Sequence, residues 1–171
     1  MKNIALIVGA SGVTGSALAE RLLGNGWSVL GLSRGRTPLL DGVEPIRADL
    51  TSRDEVARAL AGRAVTHVFF TAWARQANEK ENIRVNGAMV SNVLDALHDA
   101  RSLKHAALVT GLKHYLGPFE ACMRPARFPR RRSGSSKDAS RSIISIMNRK
   151  TVCSRRRSAA GIAGACIVRI R

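Results

Sequence analysis

A chain of 171 residues, 45% of them hydrophobic, is long enough for one domain with a real core, and its composition excludes a collagen, a disulfide scaffold and a fully disordered polymer. No apolar run approaches the ~18 residues of a membrane span, and the opening run of about five apolar residues is too short for a secretory signal, so a cytoplasmic protein without a membrane partner is expected. The net charge of +16 points at first to nucleic acid, but residues 1–120 carry 14 Lys and Arg against 11 acidic residues, while residues 121–171 carry 14 against Asp138 alone. The excess therefore belongs to the tail. Such an asymmetry usually marks a nucleic-acid tail; here that is the weaker reading and no specific nucleic acid is expected, because Phe128 is the tail's only aromatic and base stacking needs more. Cys122, Cys153 and Cys166 show no CxxC spacing, which predicts a reducing compartment and neither a structural disulfide nor a metal site.

In chain order, residues 3–9 (NIALIVG) form an Ile- and Val-rich run that predicts a buried strand. After GASGVTG comes SALAERLLGNG, a helix with Ala17, Leu18, Leu22 and Leu23 on one face and Gly24 or Gly26 as its stop. Residues 27–33 and 43–49 predict a second and a third strand. Thr51 or Ser52 caps a helix that reaches about Leu60, with Asp54 and Glu55 in the first turn, where they suit the helix dipole. Residues 65–73 predict a fourth strand, about 79–100 a long helix, and 104–111 a fifth strand. Strands alternating with helices imply an α/β fold with a right-handed, doubly wound parallel sheet.

The first turn carries the clearest chemistry. Gly9, Gly12 and Gly15 stand directly after a strand and at the head of a helix. Gly9 allows a tight turn, Gly12 lets the backbone approach a pyrophosphate, and Gly15 lets the helix pack close to the strand. The helix N–H groups then meet the phosphates; Ser11 and Val13 lie in the same turn and are counted with the cofactor-binding residues. The competing reading is a tight turn without a ligand. At the end of the second strand an Asp or Glu would bind a ribose 2′-hydroxyl. Ser33-Arg34-Gly35-Arg36 stands there instead, and a guanidinium fork suits a 2′-phosphate, so NADP(H) is the expected cofactor; Arg34 and Arg36 as plain solvated charges are the alternative. Asp49-Leu50 sit where a side chain can reach the adenine amino group, although Asp49 also reads as a residue leading into the next helix.

The segments THVFFTAWARQANEKENIRVN, VSNVLDAL and VTGLKHYLGPFEA closely resemble the progesterone 5β-reductase/iridoid synthase-like group of short-chain dehydrogenases, over about residues 4–121. The resemblance implies a Rossmann-type fold and NADPH-dependent reduction of a small molecule, often at a C=C bond conjugated to a carbonyl. It makes Lys113 the catalytic lysine of the GxKHY motif, expected to anchor the ribose and place positive charge near a developing enolate oxygen. Thr71 and Trp73 match the cofactor-lining fourth strand, with core packing as the alternative for Trp73. Thr110 matches a strand-end residue beside the nicotinamide, and Asn86 reads as a buried polar residue of the long helix. A homodimer is left open. The group's catalytic tyrosine, in a later NFYY motif, has no counterpart: Tyr115, inside the lysine motif, is the only tyrosine.

Beyond Ala121 the resemblance stops, and Arg, Ser, Pro and Ala dominate. Two regions are therefore expected, an NAD(P)-binding domain over 1–121 and a basic, poorly ordered tail over 122–171. If each codon is started one nucleotide earlier, residues 144–151 permit Phe-Tyr-Tyr-Glu-Gln-Glu-Asp, with the first Glu forced by Met147-Asn148. Residues 163–171 likewise permit Trp-Ser-Val-His-Arg-Pro-His. Both match the group in the expected order, which points to a frameshift near residues 121–122. The sheet is then expected to be incomplete at its C-terminal side, its sixth strand missing or replaced by an unrelated segment. The apolar run 158–168 is too short for a membrane span and reads as a late helix or an aggregating segment.

Overall fold

In a computed structural model of the chain, residues 3–35, 37–98 and 102–109 are described in full, together with the backbone of 153–154 and 165–170. The first strand, β1 (Ile4–Val8), is wholly apolar and buried from Ala5 onward, as a central parallel strand with helices on both faces must be. It leads through α1 (Val13–Gly24) to β2 (Ser28–Ser33), which pairs in parallel with β1 on one side and with β3 (Val43–Arg47) on the other. Helix α2 (Arg53–Leu60) then carries the chain to β4 (His67–Phe70), on the opposite side of β1, and α3 (Glu79–His98) to β5 (His105–Val109), parallel to β4. The order β3-β2-β1-β4-β5 reverses direction between β1 and β4. That switch point opens a crevice at the carboxyl ends of the strands.

Alternation along β1 sends Leu6 and Val8 to one face and Ala5 and Ile7 to the other. The first face packs against Val56 and Leu60 of α2 and Val90, Val93, Leu94 and Leu97 of α3. The second packs against α1. Each large apolar side chain taken fully out of water contributes ~1.5–3 kcal/mol, and Leu6, Leu32, Val56, Val68 and Val93 are all completely covered. The buried stripe of α1 is Gly15, Ala19 and Leu22, flanked by Leu18 and Leu23. The expected Ala17 is exposed and Ala19 takes its place, because the i, i+4, i+7 row starts at the glycine that abuts Gly9 and Ala10 in the turn after β1.

Two threonines bound β4, which is shorter than the predicted 65–73. At the lower end Thr66 Oγ1 accepts from Ile4 N (2.8 Å) and donates to Ile4 O (2.9 Å). At the upper end Thr71 Oγ1 donates toward Val8 O (2.9 Å) and Gly9 O (3.1 Å). The Thr66 hydroxyl gives Ile4 N its partner at the start of β1, while Ile4 O and Val8 O also accept from the N–H groups of Thr66 and Thr71. Near the lower end Trp27 packs edge-on against His67, with ring centroids 4.6 Å apart, and burial lowers the His67 pKa.

Beside β5, where an edge lacking its cover is expected, β7 (Ala165–Ile170) pairs antiparallel, and β6 (Cys153–Ser154) pairs antiparallel with β7. The sheet is thus a five-stranded parallel core with two antiparallel strands appended. The apolar run expected as a late helix or an aggregating segment ends instead as a strand. Its sequence, ACIVRI, is rich in the branched residues that suit one, and an unpaired β5 would offer a free row of N–H and C=O groups.

Candidate functional site

The crevice is floored by the turn after β1. Gly9 has φ +91°, and a Cβ there would come within 2.8 Å of Ala72 N. Gly9 therefore serves both the left-handed turn and the close approach of the β4 exit. A Cβ on Gly15 would lie 2.2 Å from Gly9 O, so α1 can start this near β1 only with glycine there. Gly12 is different. Its φ is −84°, and a Cβ would meet nothing closer than Gly9 O at 3.4 Å. The chain itself does not require glycine at position 12; a ligand approaching the backbone would. As N-cap, Gly12 offers no side-chain acceptor, and the first turn of α1 holds no acidic residue. Its N–H groups and dipole thus carry no internal anion, which is the state a phosphate needs. Ser11 and Val13 are exposed on this turn, Val13 at 89%.

Trp73 is 57% exposed, which rules out the core-packing reading. With Val13 it puts large apolar surface at the rim of the crevice. Thr71 stands there too, but its hydroxyl is committed to the carbonyls of Val8 and Gly9, so it shapes the turn from within. The segment between β4 and α3 is held from α3. Asn86, 3% exposed, accepts from Ala74 N (2.9 Å) and donates to Ala74 O and Asn82 O (both 2.9 Å). One turn earlier, Asn82 Oδ1 accepts from Gln76 N (2.7 Å). Asn86 is the buried helix polar residue expected; Asn82, four residues before it on the same face, was not singled out, although the i, i+4 spacing was the available signal. Asn86→Ala should lower stability by about 1–3 kcal/mol, the cost of leaving buried backbone groups unpaired. Urea denaturation measures it, and an unchanged midpoint would show that the clamp contributes nothing.

The other end of the crevice lies beyond β2 and β3. A pocket of about 250 Å³ is lined by Arg34, Arg47, Ala48, Asp49 and Glu55. Ser33 Oγ accepts from Gly35 N (3.2 Å), which leaves its hydroxyl proton for another acceptor. Asp49 Oδ1 takes both the N–H (2.9 Å) and the hydroxyl (2.8 Å) of Thr51. Those bonds, with a smaller attraction from Arg34, lower its pKa, and both fall on the same carboxylate oxygen. Glu55 Oε2 accepts from Asp49 N (2.9 Å), so the residue expected to suit the helix dipole also pins the end of β3. Leu50, expected beside the adenine, is instead 9% exposed within the core under α2 and α3, and its carbonyl accepts from Asn92 Nδ2 (2.9 Å). The sequence reading missed Arg47, which enters through strand register: it pairs with Ser33.

Arg36, Thr110, Lys113 and Tyr115 lie outside the described residues. Among the described residues no group of three or more His, Cys, Asp or Glu is placed to hold a metal, and no helix is long and apolar enough to cross a membrane. The glycine turn, the uncapped α1 and the pocket beyond β2, where Arg34 and Arg47 stand beside Asp49 and Glu55, fit the pyrophosphate and the adenosine end of a dinucleotide.

Comparison with known proteins agrees with this geometry. Residues 5–116 match the model of the NAD dependent epimerase/dehydratase family. The chain is 38% identical over 128 residues to a 3-oxo-Δ(4,5)-steroid 5-beta-reductase of Arabidopsis thaliana, covering 69% of this chain and 33% of that protein. It is 41% identical over 129 residues to an (S)-8-oxocitronellyl enol synthase of Nepeta cataria, covering 70% and 33%. The chain thus spans about a third of the length of these curated relatives, 33% in each. Among solved structures, the Bordetella bronchiseptica enzyme WbmG, in complex with NAD and UDP, superposes with a TM-score of 0.65 at 22% identity, covering 86% of this chain and 50% of that one. The Thermus thermophilus UDP-glucose 4-epimerase, in complex with NAD, gives 0.57 at 23% identity, covering 85% and 49%. These two likenesses concern the fold.

Proposed function

The chain belongs to the NAD dependent epimerase/dehydratase family, and from that premise we propose that it is the NADP(H)-holding part of a reductase acting on the conjugated C=C bond, or the carbonyl, of a small molecule. The reductase and enol synthase relatives support the reaction class. The cofactor reading rests on one observation, the end of β2. Where a carboxylate would take a ribose 2′-hydroxyl, Ser33 and Arg34 stand, and Arg34 lines the pocket there. Gly9, Ser11, Gly12, Val13 and Gly15 would hold the pyrophosphate, and the second carboxylate oxygen of Asp49 the adenine amino group. Trp73 would cover the nicotinamide side of the crevice. When bound, the nicotinamide supplies a hydride.

Lys113 keeps the role that the resemblance gives it: its ammonium anchors the ribose and lowers the barrier by holding positive charge where enolate character develops. NADPH should bind more tightly than NADH, and Arg34→Ala should weaken NADPH by roughly 1–3 kcal/mol, the scale of a charge-assisted hydrogen bond. Calorimetric titration measures both, and equal affinities for the two cofactors overturn the reading. A second reading, a module that binds NADP(H) without turnover, is favoured by one observation: Tyr115 is the only tyrosine in the chain.

A further inference from the structure

We propose that Arg47 is a second 2′-phosphate ligand, closing on the phosphate from β3 as Arg34 does from the end of β2, so that two guanidinium groups together set the preference for NADP(H). The proposal rests on the cofactor reading above and adds a specificity-determining residue to it.

Three observations carry it. First, Arg47 and Ser33 are register partners at the ends of adjacent parallel strands, which puts both at the carboxyl edge of the sheet. Second, the Arg47 side chain crosses the turn that carries Arg34. Gly35 has φ +74°, and a Cβ there would stand 2.7 Å from Arg47 Nε and 2.8 Å from its Cδ. Gly35 therefore makes room for the arginine as well as for the turn. Third, Arg34 and Arg47 line one pocket with Ala48, Asp49 and Glu55, and neither arginine forms a salt bridge among the described residues. Of the two carboxylates beside them, Asp49 Oδ1 is bonded to Thr51 and Glu55 Oε2 to Asp49 N, and Arg34 adds only a smaller attraction to Asp49. Two guanidinium groups at one concave edge, neither in a salt bridge among the described residues, form the arrangement that a phosphate monoester occupies.

A plainer role exists for Arg47. β3 is an edge strand, and charged residues on such strands discourage pairing with other chains. That role predicts no discrimination between nucleotides, so the two can be separated with fragments that lack the nicotinamide. The full chain and its Arg47→Gln, Arg47→Lys and Arg34→Ala variants are titrated calorimetrically with adenosine 2′,5′-bisphosphate and with 5′-AMP.

The wild type should prefer the bisphosphate. Arg47→Gln, which keeps a stem over Gly35 but loses the charge, should weaken the bisphosphate about tenfold or more, as for a lost charge-assisted bond, and change 5′-AMP less than about twofold. Arg47→Lys keeps the charge without the fork, should recover part of the loss, and decides the matter if the glutamine variant does not fold. Should Arg47→Gln, or Arg47→Lys where the glutamine variant does not fold, bind both nucleotides as the wild type does or weaken both equally, the proposal is overturned. The cofactor reading then survives if Arg34→Ala selectively loses the bisphosphate. A wild type without preference between the two nucleotides overturns both.

Discussion

Replacing Gly15 by alanine is expected to abolish dinucleotide binding and to lower stability by about 1–3 kcal/mol or more, the usual cost of overpacking. The added carbon would stand 2.2 Å from Gly9 O and 2.9 Å from Ala10 Cα. These are backbone atoms of the turn, so no rotamer change relieves the clash. Either α1 retreats from β1 or the turn opens, and both displace the N–H groups at the head of α1 from the crevice. Gly12→Ala gives the control. Its Cβ has room and its φ is ordinary, so the protein should melt as the wild type does. The methyl group nevertheless projects where a pyrophosphate would meet the backbone, so NADPH binding should fall. Urea denaturation and NADPH titration of both variants separate the two glycines. A Gly15→Ala protein with wild-type stability would mean that the tight contact between α1 and β1 is not needed. A Gly12→Ala protein with wild-type affinity would remove the phosphate turn from the site.

Local signals carry far in this chain. The apolar run before Gly9, the glycine spacing and the strand–helix alternation are enough to predict five strands alternating with helices in one parallel sheet; the order of the strands across that sheet comes from the structure. Where the reading missed, a longer-range fact decided. Ala17 and Ala19 are equally plausible on paper, and the contact of Gly15 with Gly9 picks the stripe that buries Ala19. Leu50 follows a strand end where the sequence reading expects the adenine, yet the turn built by Asp49 and Thr51 sends it into the core. The resemblance puts Thr71 in a cofactor-lining segment, and the structure adds that its hydroxyl serves the β1 turn from the adjacent strand. Arg47 is one charge among many until register sets it beside Ser33. Trp73 goes the other way: hydrophobicity alone suggests a core residue, and only its exposure frees it for the crevice.

The 171-residue chain is expected to reduce a small enone slowly or not at all, and reading the alternative frame from about residue 122 is expected to bring activity back. In the proposed role Lys113 would hold charge near the oxygen of the reacting carbonyl. The second donor, which the resemblance assigns to a later tyrosine, is absent from the sequence, because Tyr115 falls within the lysine motif itself. Losing one such preorganised donor costs ~10²–10³ in rate. In the alternative frame residues 144–151 permit Phe-Tyr-Tyr-Glu-Gln-Glu-Asp, which returns the tyrosine. The measurement is the decay of NADPH absorbance with a simple enone for both frames, with bound NADPH titrated in each so that lost binding is not mistaken for lost chemistry. In the restored protein Lys113→Ala should cut turnover severely while the melting curve stays in place. If the 171-residue chain turns over as fast as the restored one, both the tyrosine assignment and the frameshift are wrong, and the hydroxyl must come from Tyr115 or from outside the motif.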